Sequence, residues 1–379
     1  MKRKMRSRVS IERCDDYFLD NVRGAVKRSF ENLGGLHRFV KPGDKVLIKP
    51  NLLSAKDPSR AITTHPSVVQ AVAEEVLALK GIPFIGDSPG GADRGVKRVW
   101  DNTQMSLASQ NSSVPLVSFE EGGVEKRISQ TGKTYYIALP VLEADVIISL
   151  AKLKTHTLTL MTCGIKNMFG VIPGFRKGEY HKEAPKPEMF AEVIVDIFSL
   201  VKPKITLVDA VVGMEGDGPA SGEPKYLGFL LASEDAVAMD TVAAKILGFK
   251  DGEIDSTRIA AKRSLGLADF SQIEIAGEKI ENVKPVSFKL PSNRFLKLVP
   301  KFLVDIIGPL IWVRPNIYNG TCTNCNICVE NCPLKTISSG KTKPIFNYSR
   351  CVNCMCCQEL CPQKAIYLEK SWLAKKVAK

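Results

Sequence analysis

Along the first 290 residues, short β-branched runs alternate with stretches whose apolar positions recur at helical spacing. KVLIKPN, Lys45–Asn51, predicts a strand stopped by a proline. THPSVVQAVAEEVLALKG, Thr64–Gly81, predicts a helix with Thr64 near its start, Lys80 in its last turn and Gly81 as its stop. IPFIGDSPGG, Ile82–Gly91, reads as a strand entering a Gly/Pro turn, and DVIISLAKLKTH, Asp145–His156, begins as a buried strand. Pro187–Pro203 reads as a helix bounded by prolines, Lys204–Gly222 as a strand and a glycine-rich loop, and Glu234–Phe249 as a helix with a glycine stop. A hairpin over Val124–Leu139 is expected to add antiparallel pairing. The alternation argues for an α/β fold, a large domain with a mostly parallel or mixed sheet flanked by helices.

Four loops stand out because each follows or finishes an expected strand: KPNLLS, GDSPGG, AKLKTH and DAVVGMEGDGP. Open α/β sheets bind ligands at the carboxyl ends of their strands, so four such loops on one edge suggest one site. The densest candidate segment is Ala151–Lys182, whose lysines and glycine-punctuated backbone suit an anionic small molecule such as a carboxylate or phosphate. Its Lys152, Lys154, Asn167 and His181, with Asp87 of GDSPGG, are the candidate substrate-binding residues. His156, Lys166, Glu215 and Asp217 are the candidate catalytic residues. The last two form a carboxylate pair in a loop rich in glycine, suited to acid–base work or to an additional divalent metal. Each has a plainer alternative: a solvated lysine face, structural histidines, and acids that cap a turn. No phosphate-loop or dinucleotide-binding glycine pattern is present, so conventional nucleotide binding is not expected.

The C-terminal end has a different grammar. CTNCNICVENCP, Cys322–Pro333, carries the spacing Cys-x2-Cys-x2-Cys-x3-Cys-Pro, and CVNCMCCQELCP repeats it 29 residues later. The repeat places Cys356 off the ladder, as a packed or bystander thiol. In this ligand run the fourth cysteine serves the other cluster. Cys322, Cys325, Cys328 and Cys361 are therefore expected to hold one 4Fe–4S cluster, and Cys351, Cys354, Cys357 and Cys332 the second, in a small α+β ferredoxin-type domain. Zinc modules favour separated cysteine pairs, and disulfide frameworks favour small secreted chains.

Composition changes this picture little. Hydrophobic content of 44% and charged content of 25% describe an ordinary globular chain. Eleven cysteines point to a reducing compartment, and the basic N-terminus lacks the apolar run of a signal peptide, so a cytoplasmic location is expected. The net charge of +13 is concentrated beyond residue 281, where fifteen Lys or Arg face four Asp or Glu. Two oxidised clusters with their thiolates would offset about −4 of this in formal counting. The surplus suits an acidic redox partner or electron donor; scattered basic residues without an aromatic platform argue against nucleic acid. Arg294–Pro315 is strongly apolar but interrupted by charges and prolines, which excludes a membrane span. Packing between domains is favoured for it over contact with a membrane surface. The expected division is 1–290 for the α/β domain, 291–315 for the linker, 316–370 for the ferredoxin-type domain and 371–379 for a basic tail.

Taken in order, KPNLLS, GDSPGG, AKLKTHTLTLMTCGIKNMFGVIPG and DAVVGMEGDGPASG resemble the uncharacterised bacterial and archaeal family called domain of unknown function 362, over about residues 40–250. Many members of that family are similar to this chain in carrying a C-terminal two-cluster ferredoxin segment. The resemblance implies a cytoplasmic iron–sulfur protein and supplies no reaction. The leading expectation is a redox enzyme whose clusters exchange electrons with an anionic small molecule in the α/β domain. The rivals are a non-catalytic electron carrier or docking protein and an iron–sulfur maturation or scaffold protein.

Overall fold

The computed structural model describes residues 6–90, 95–174, 176–184, 186–291 and 312–377. Its centre is a nine-stranded sheet. The strands are β1 (Ser7–Arg13), β2 (Lys45–Lys49), β3 (Ile82–Asp87), β4 (Leu116–Ser118), β7 (Val146–His156), β8 (Leu160–Thr162), β9 (Ile205–Glu215), β10 (Glu223–Ser233) and β11 (Ile273–Gly277). They run in the order β11-β1-β10-β9-β7-β2-β3-β4, with β8 folded back on β7. All strands of that order are co-directional except β10, which is antiparallel to both β1 and β9. The hairpin of β5 (Val124–Ile128) and β6 (Thr134–Ala138) forms a separate ribbon and does not extend the main sheet.

Strand alternation sends side chains to two cores. Val46, Ile48, Ile148 and Leu150 pack with α1 (Leu19–Glu31) and α2 (Pro66–Ala78) on one face. Leu47, Ala151, Leu153 and Val208 turn to the other face, where α8 (Pro187–Leu200), α9 (Ala236–Leu247) and α10 (Asp255–Lys262) lie. Helices cover both faces of a mostly parallel sheet because each strand buries residues on both sides. The helix expected from Thr64 starts two residues later, at Pro66, with His65 as its cap: the ring nitrogen accepts from the Ser67 amide.

The C-terminal residues form a small unit of two antiparallel pairs. β12 (Val313–Ile317) pairs with β15 (Ile366–Lys370), and β13 (Ile337–Ser338) pairs with β14 (Ile345–Phe346). The 29-residue repeat is also a repeat of backbone shape. Asn324 and Asn353 have φ of 52° and 53°, Asn326 and Met355 59° and 62°, and Lys335 and Lys364 50° and 52°. Such left-handed non-glycine residues are uncommon, and their recurrence at one shift marks a duplicated loop. The apolar linker expected over Arg294–Pro315 lies mostly outside the described residues; its last residues, from Val313, belong to β12. Among the described residues no helix is long and apolar enough to cross a membrane.

Candidate functional site

From β2 the chain steps outward through β3 to β4, then returns to lay β7 on the other side of β2. The carboxyl ends of β2 and β7 therefore flank a topological switch point, where open sheets leave a crevice. Lys154 near the end of β7 is buried and donates to Asn51 Oδ1 at 2.7 Å and to the Ile62 carbonyl at 2.6 Å. Asn51 Nδ2 donates to Asn167 Oδ1 at 3.1 Å, and Asn167 Nδ2 to Ser149 Oγ at 2.9 Å, tying the loop after β2 to the Gly164–Asn167 turn.

Beneath this chain lies a fully buried ion pair, Lys49 Nζ to Asp87 Oδ1 at 2.7 Å, with the Leu52 amide on the other Asp87 oxygen at 2.7 Å. Gly170 is required here: a Cβ on it would stand 2.1 Å from Asp87 Oδ1 and 2.7 Å from Lys49 Nζ. Lys177 donates to Ser88 Oγ at 2.7 Å, and that hydroxyl bonds Glu120 after β4.

Asn51, Asp87, Ser88, Glu120, Lys154, Asn167, Gly170 and Lys177 line a cavity of about 550 Å³, and the C-terminal unit adds Glu330, Asn331, Cys332, Pro333, Lys335, Cys356, Glu359 and Leu360 to its wall. The principal contact across the seam is His156 Nε2 to Glu359 Oε1, 3.1 Å apart but out of line for a hydrogen bond. His156 Nδ1 accepts the amides of Leu158 and Thr159 at 3.0 and 3.3 Å, which places the ring proton on Nε2. Burial, then Lys166, brings the His156 pKa down to about 4. Burial also takes His181 down to about 3, against the pull of Glu359. Burial pushes the Glu359 carboxyl up, but His156, Lys166 and His181 outweigh it and hold it at about 2. Burial, then Lys166, lowers Lys154 to about 7, and burial lowers Lys177 to about 8.

Four buried polar atoms of the cavity wall lack a hydrogen-bond partner among the described residues: His156 Nε2, Thr162 Oγ1, His181 Nδ1 and Glu359 Oε1. Buried polar atoms are nearly always satisfied; His156 Nε2 and Glu359 Oε1 face each other, so Thr162 Oγ1 and His181 Nδ1 are the two that mark a place where another molecule completes the bonding. Lys166 also lines the cavity, 5.7 Å from the Phe169 ring centre, with no hydrogen-bond or ion-pair partner among the described residues. His181 is held by stacking on Phe190 at 4.0 Å and by the edge of Phe169.

The repeat cysteines fall into two quartets. Cys322, Cys325, Cys328 and Cys361 line one small cavity; Cys332, Cys351, Cys354 and Cys357 line another. Each quartet takes its fourth member from the other copy. The Thr336 amide meets Cys332 Sγ at 3.3 Å, and the Ala365 amide meets Cys361 Sγ at 3.2 Å, again one repeat apart. Burial, then Cys361, Cys325 and Cys322, pushes the Cys328 thiol up to about 11. Such crowding disfavours thiolates unless a cationic centre neutralises them, so the donor set and its amide bonds fit a cluster at each quartet. Among the described residues no three His, Cys, Asp or Glu side chains converge as a single metal ion requires. A four-iron cube instead takes one thiolate on each of four irons.

A family model described as a domain of unknown function, DUF362, matches residues 46–245, from β2 into α9. The chain belongs to the DUF362 family. A thylakoid-associated protein of Synechocystis sp. is 39% identical to it over 261 residues, covering 68% of this chain and 79% of that protein. The lactate racemase apoprotein of Thermoanaerobacterium thermosaccharolyticum aligns with a TM-score of 0.42 at 11% identity, covering 64% of this chain and 58% of that one. The DUF362 match ends well before the cysteine repeat and takes in the strand ends that build the cavity.

Of the residues singled out in the sequence, Asp87, Lys154, His156, Lys166, Asn167 and His181 line this one cavity. Lys152, Glu215 and Asp217 are not among its lining residues. Lys152 sits deeper on β7, paired with Asp209 at 2.8 Å beside Tyr17, which stacks on His65. Glu215 accepts the Lys289 amide at 2.9 Å, and the loop after β9 reaches the cavity through Pro219 instead. Among the described residues no third His, Cys, Asp or Glu joins Glu215 and Asp217 in a group that could hold a metal ion. Cys163 is buried against Asp240 and is not among the cavity's lining residues; burial, then that carboxylate, holds its thiol well above the usual range. The sequence reading missed Glu359 as a site residue, because it lies inside a cysteine run; Asn51, Thr162 and Lys177 lie within the loops and the segment that the sequence points to, without a signal that separates them from their neighbours.

Proposed function

We propose that the C-terminal unit is a ferredoxin-type domain holding two 4Fe–4S clusters, one on Cys322, Cys325, Cys328 and Cys361, the other on Cys351, Cys354, Cys357 and Cys332. We further propose that this DUF362 protein is a redox enzyme of a reducing compartment such as the cytoplasm, acting on an anionic small molecule in the cavity. When bound, the clusters supply single electrons. The observation that carries the reading is that Cys332 lines the same cavity as Lys154, Lys166 and His181. A thiolate of the second cluster would then border the bound molecule. Lys166 offers it a positive charge, His156 holds a proton on Nε2 facing the seam, and Leu360 and Pro333 help close the site from water.

Cys325, by contrast, is exposed. That favours electron delivery to the first cluster by a partner protein, and it also supports a second reading, an electron carrier without a substrate. The test is anaerobic reduction of the cluster-loaded chain, followed by addition of small anionic oxidants while cluster absorbance is recorded. Saturable reoxidation, lost in Lys166→Met with iron content retained, is expected. Reoxidation by a second redox protein alone would replace the enzyme reading with the carrier.

A further inference from the structure

The cavity's charge and shape narrow what it takes. Its lysines are not equivalent. Lys154 donates to Asn51 and the Ile62 carbonyl, Lys177 to Ser88, and Lys335 to the Glu330 carbonyl. Lys166 alone of the four has no hydrogen-bond partner among the described residues, so its ammonium is the one free to donate to a ligand. Among the described residues no arginine lines the cavity, so none of them brings the two-pronged fork that grips phosphate. Asp87, Glu120, Glu179, Glu330 and Glu359 also line the cavity and would oppose a second negative charge. Leu53, Pro89, Phe169, Pro219, Pro333 and Leu360 supply its apolar wall. A cavity of about 550 Å³ is in the range that encloses a compact organic molecule.

The geometry points to a monocarboxylate with an apolar body as the ligand class, its carboxylate on Lys166 and its body against Phe169, Pro219 and Leu360. This rests on the reading of the cavity as the substrate site. Thr162 Oγ1 and His181 Nδ1, both buried and unpartnered among the described residues, supply polar contacts for the carboxylate or for an adjacent oxygen. A phosphate ester would instead bring a second negative charge to a wall that already carries Asp87, Glu120, Glu179, Glu330 and Glu359.

The test uses the full-length, cluster-loaded chain under anaerobic conditions and reads binding calorimetrically, without turnover. The probes are benzoate, cinnamate and isovalerate, their matched amides, and inorganic phosphate. At least one acid is expected to bind tenfold or more tightly than its amide and than phosphate. Lys166→Met is expected to remove that preference while iron content and melting temperature stay unchanged. Equal binding of acids and amides, or tighter binding of phosphate, overturns the proposal. Because wild-type protein alone gives the acid–amide comparison, a Lys166→Met chain that fails to fold does not shield the idea. The outcome is separable from the redox reading: the clusters are kept oxidised and no reductant is added, so binding is scored without electron flow. Reoxidation assays judge the redox reading independently.

Discussion

His156 Nε2 and Glu359 Oε1 stand 3.1 Å apart across the seam between β7 and the helix Cys356–Leu360. One residue comes from the DUF362 region and the other from within the second cysteine run. The contact joins the sheet edge to the unit proposed to carry clusters, and it does so on the cavity wall. Lys364 Nζ reinforces the seam by donating to the Gly222 carbonyl at 3.1 Å, and Lys56 does so by bonding the Pro362 carbonyl.

The first prediction concerns pH. The His156 pKa is depressed to about 4, so the folded state holds fewer protons than the unfolded chain between that value and the ordinary 6.5. Stability from this group is full above pH 6.5 and is lost as pH falls toward 4. His181, depressed to about 3, acts in the same direction, and Glu359, held at about 2, adds a further loss below its ordinary 4.5. Protonating His156 Nδ1 removes the acceptor of the Leu158 and Thr159 amides. Hydrogen exchange should therefore show protection of these two amides falling as pH drops from about 6.5 toward 4. His156→Asn should flatten that dependence. Protection that stays constant across the window would mean that His156 does not titrate there.

The second prediction concerns the buried pair under the site. Gly170→Ala would put a methyl into the space of Asp87 Oδ1 and Lys49 Nζ. Overpacking and separation of a buried ion pair together should cost about 3 kcal/mol or more in denaturant unfolding. Gly132→Ala is the control for a glycine with open space around it; its φ of 80° limits the comparison to a cost of about 1 kcal/mol. A Gly170→Ala loss no larger than the control would show that the pair can shift aside.

A third prediction separates Cys356 from its neighbour. Cys357 belongs to the Cys332, Cys351 and Cys354 quartet, whereas Cys356 lines the large cavity. Anaerobically purified protein should contain about eight iron and eight sulfide per chain, as two four-iron clusters require. Cys356→Ser should keep that content, and Cys357→Ser should lose roughly half of it. Equal loss in the two variants would break the assignment of Cys356 outside the ladder.

What the sequence made legible follows from which interactions are local. Strand–helix alternation and the loops at strand ends are written in residues adjacent in the chain, and Lys154, His156, Lys166 and Asn167 all come from one segment on β7 and its return. The same locality misleads at Lys152, Glu215 and Asp217. Lys152 is two residues from Lys154, yet it belongs to the buried Asp209–Tyr17 network. Glu215 sits at the end of β9, but its carboxylate is taken by a backbone amide from residue 289, a contact with no local signature. Glu359 was hidden for the complementary reason. It reads as an ordinary spacer between cysteines until the tertiary fold sets it opposite His156.

The final prediction links the cavity to the second quartet. Cys332 is buried, accepts the Thr336 amide and lines the cavity; Cys322, Cys325 and Cys328 do not line it. An anion seated on Lys166 should stabilise the oxidised state of the nearer cluster, because reduction adds negative charge beside it. The midpoint potential of that cluster should fall while the other stays in place. Linkage sets the size: a ligand bound tenfold more tightly to the oxidised than to the reduced form moves a one-electron couple by about 59 mV. Potentiometric titration followed by electron paramagnetic resonance, with and without a saturating carboxylate, measures both clusters at once. The matched amide should leave both potentials unmoved, and Lys166→Met should abolish the shift. If calorimetry shows the carboxylate bound while both potentials fall equally, or neither falls, the cavity is not electrically coupled to the Cys332 quartet. The electron path would then have to leave through the exposed Cys325 side alone.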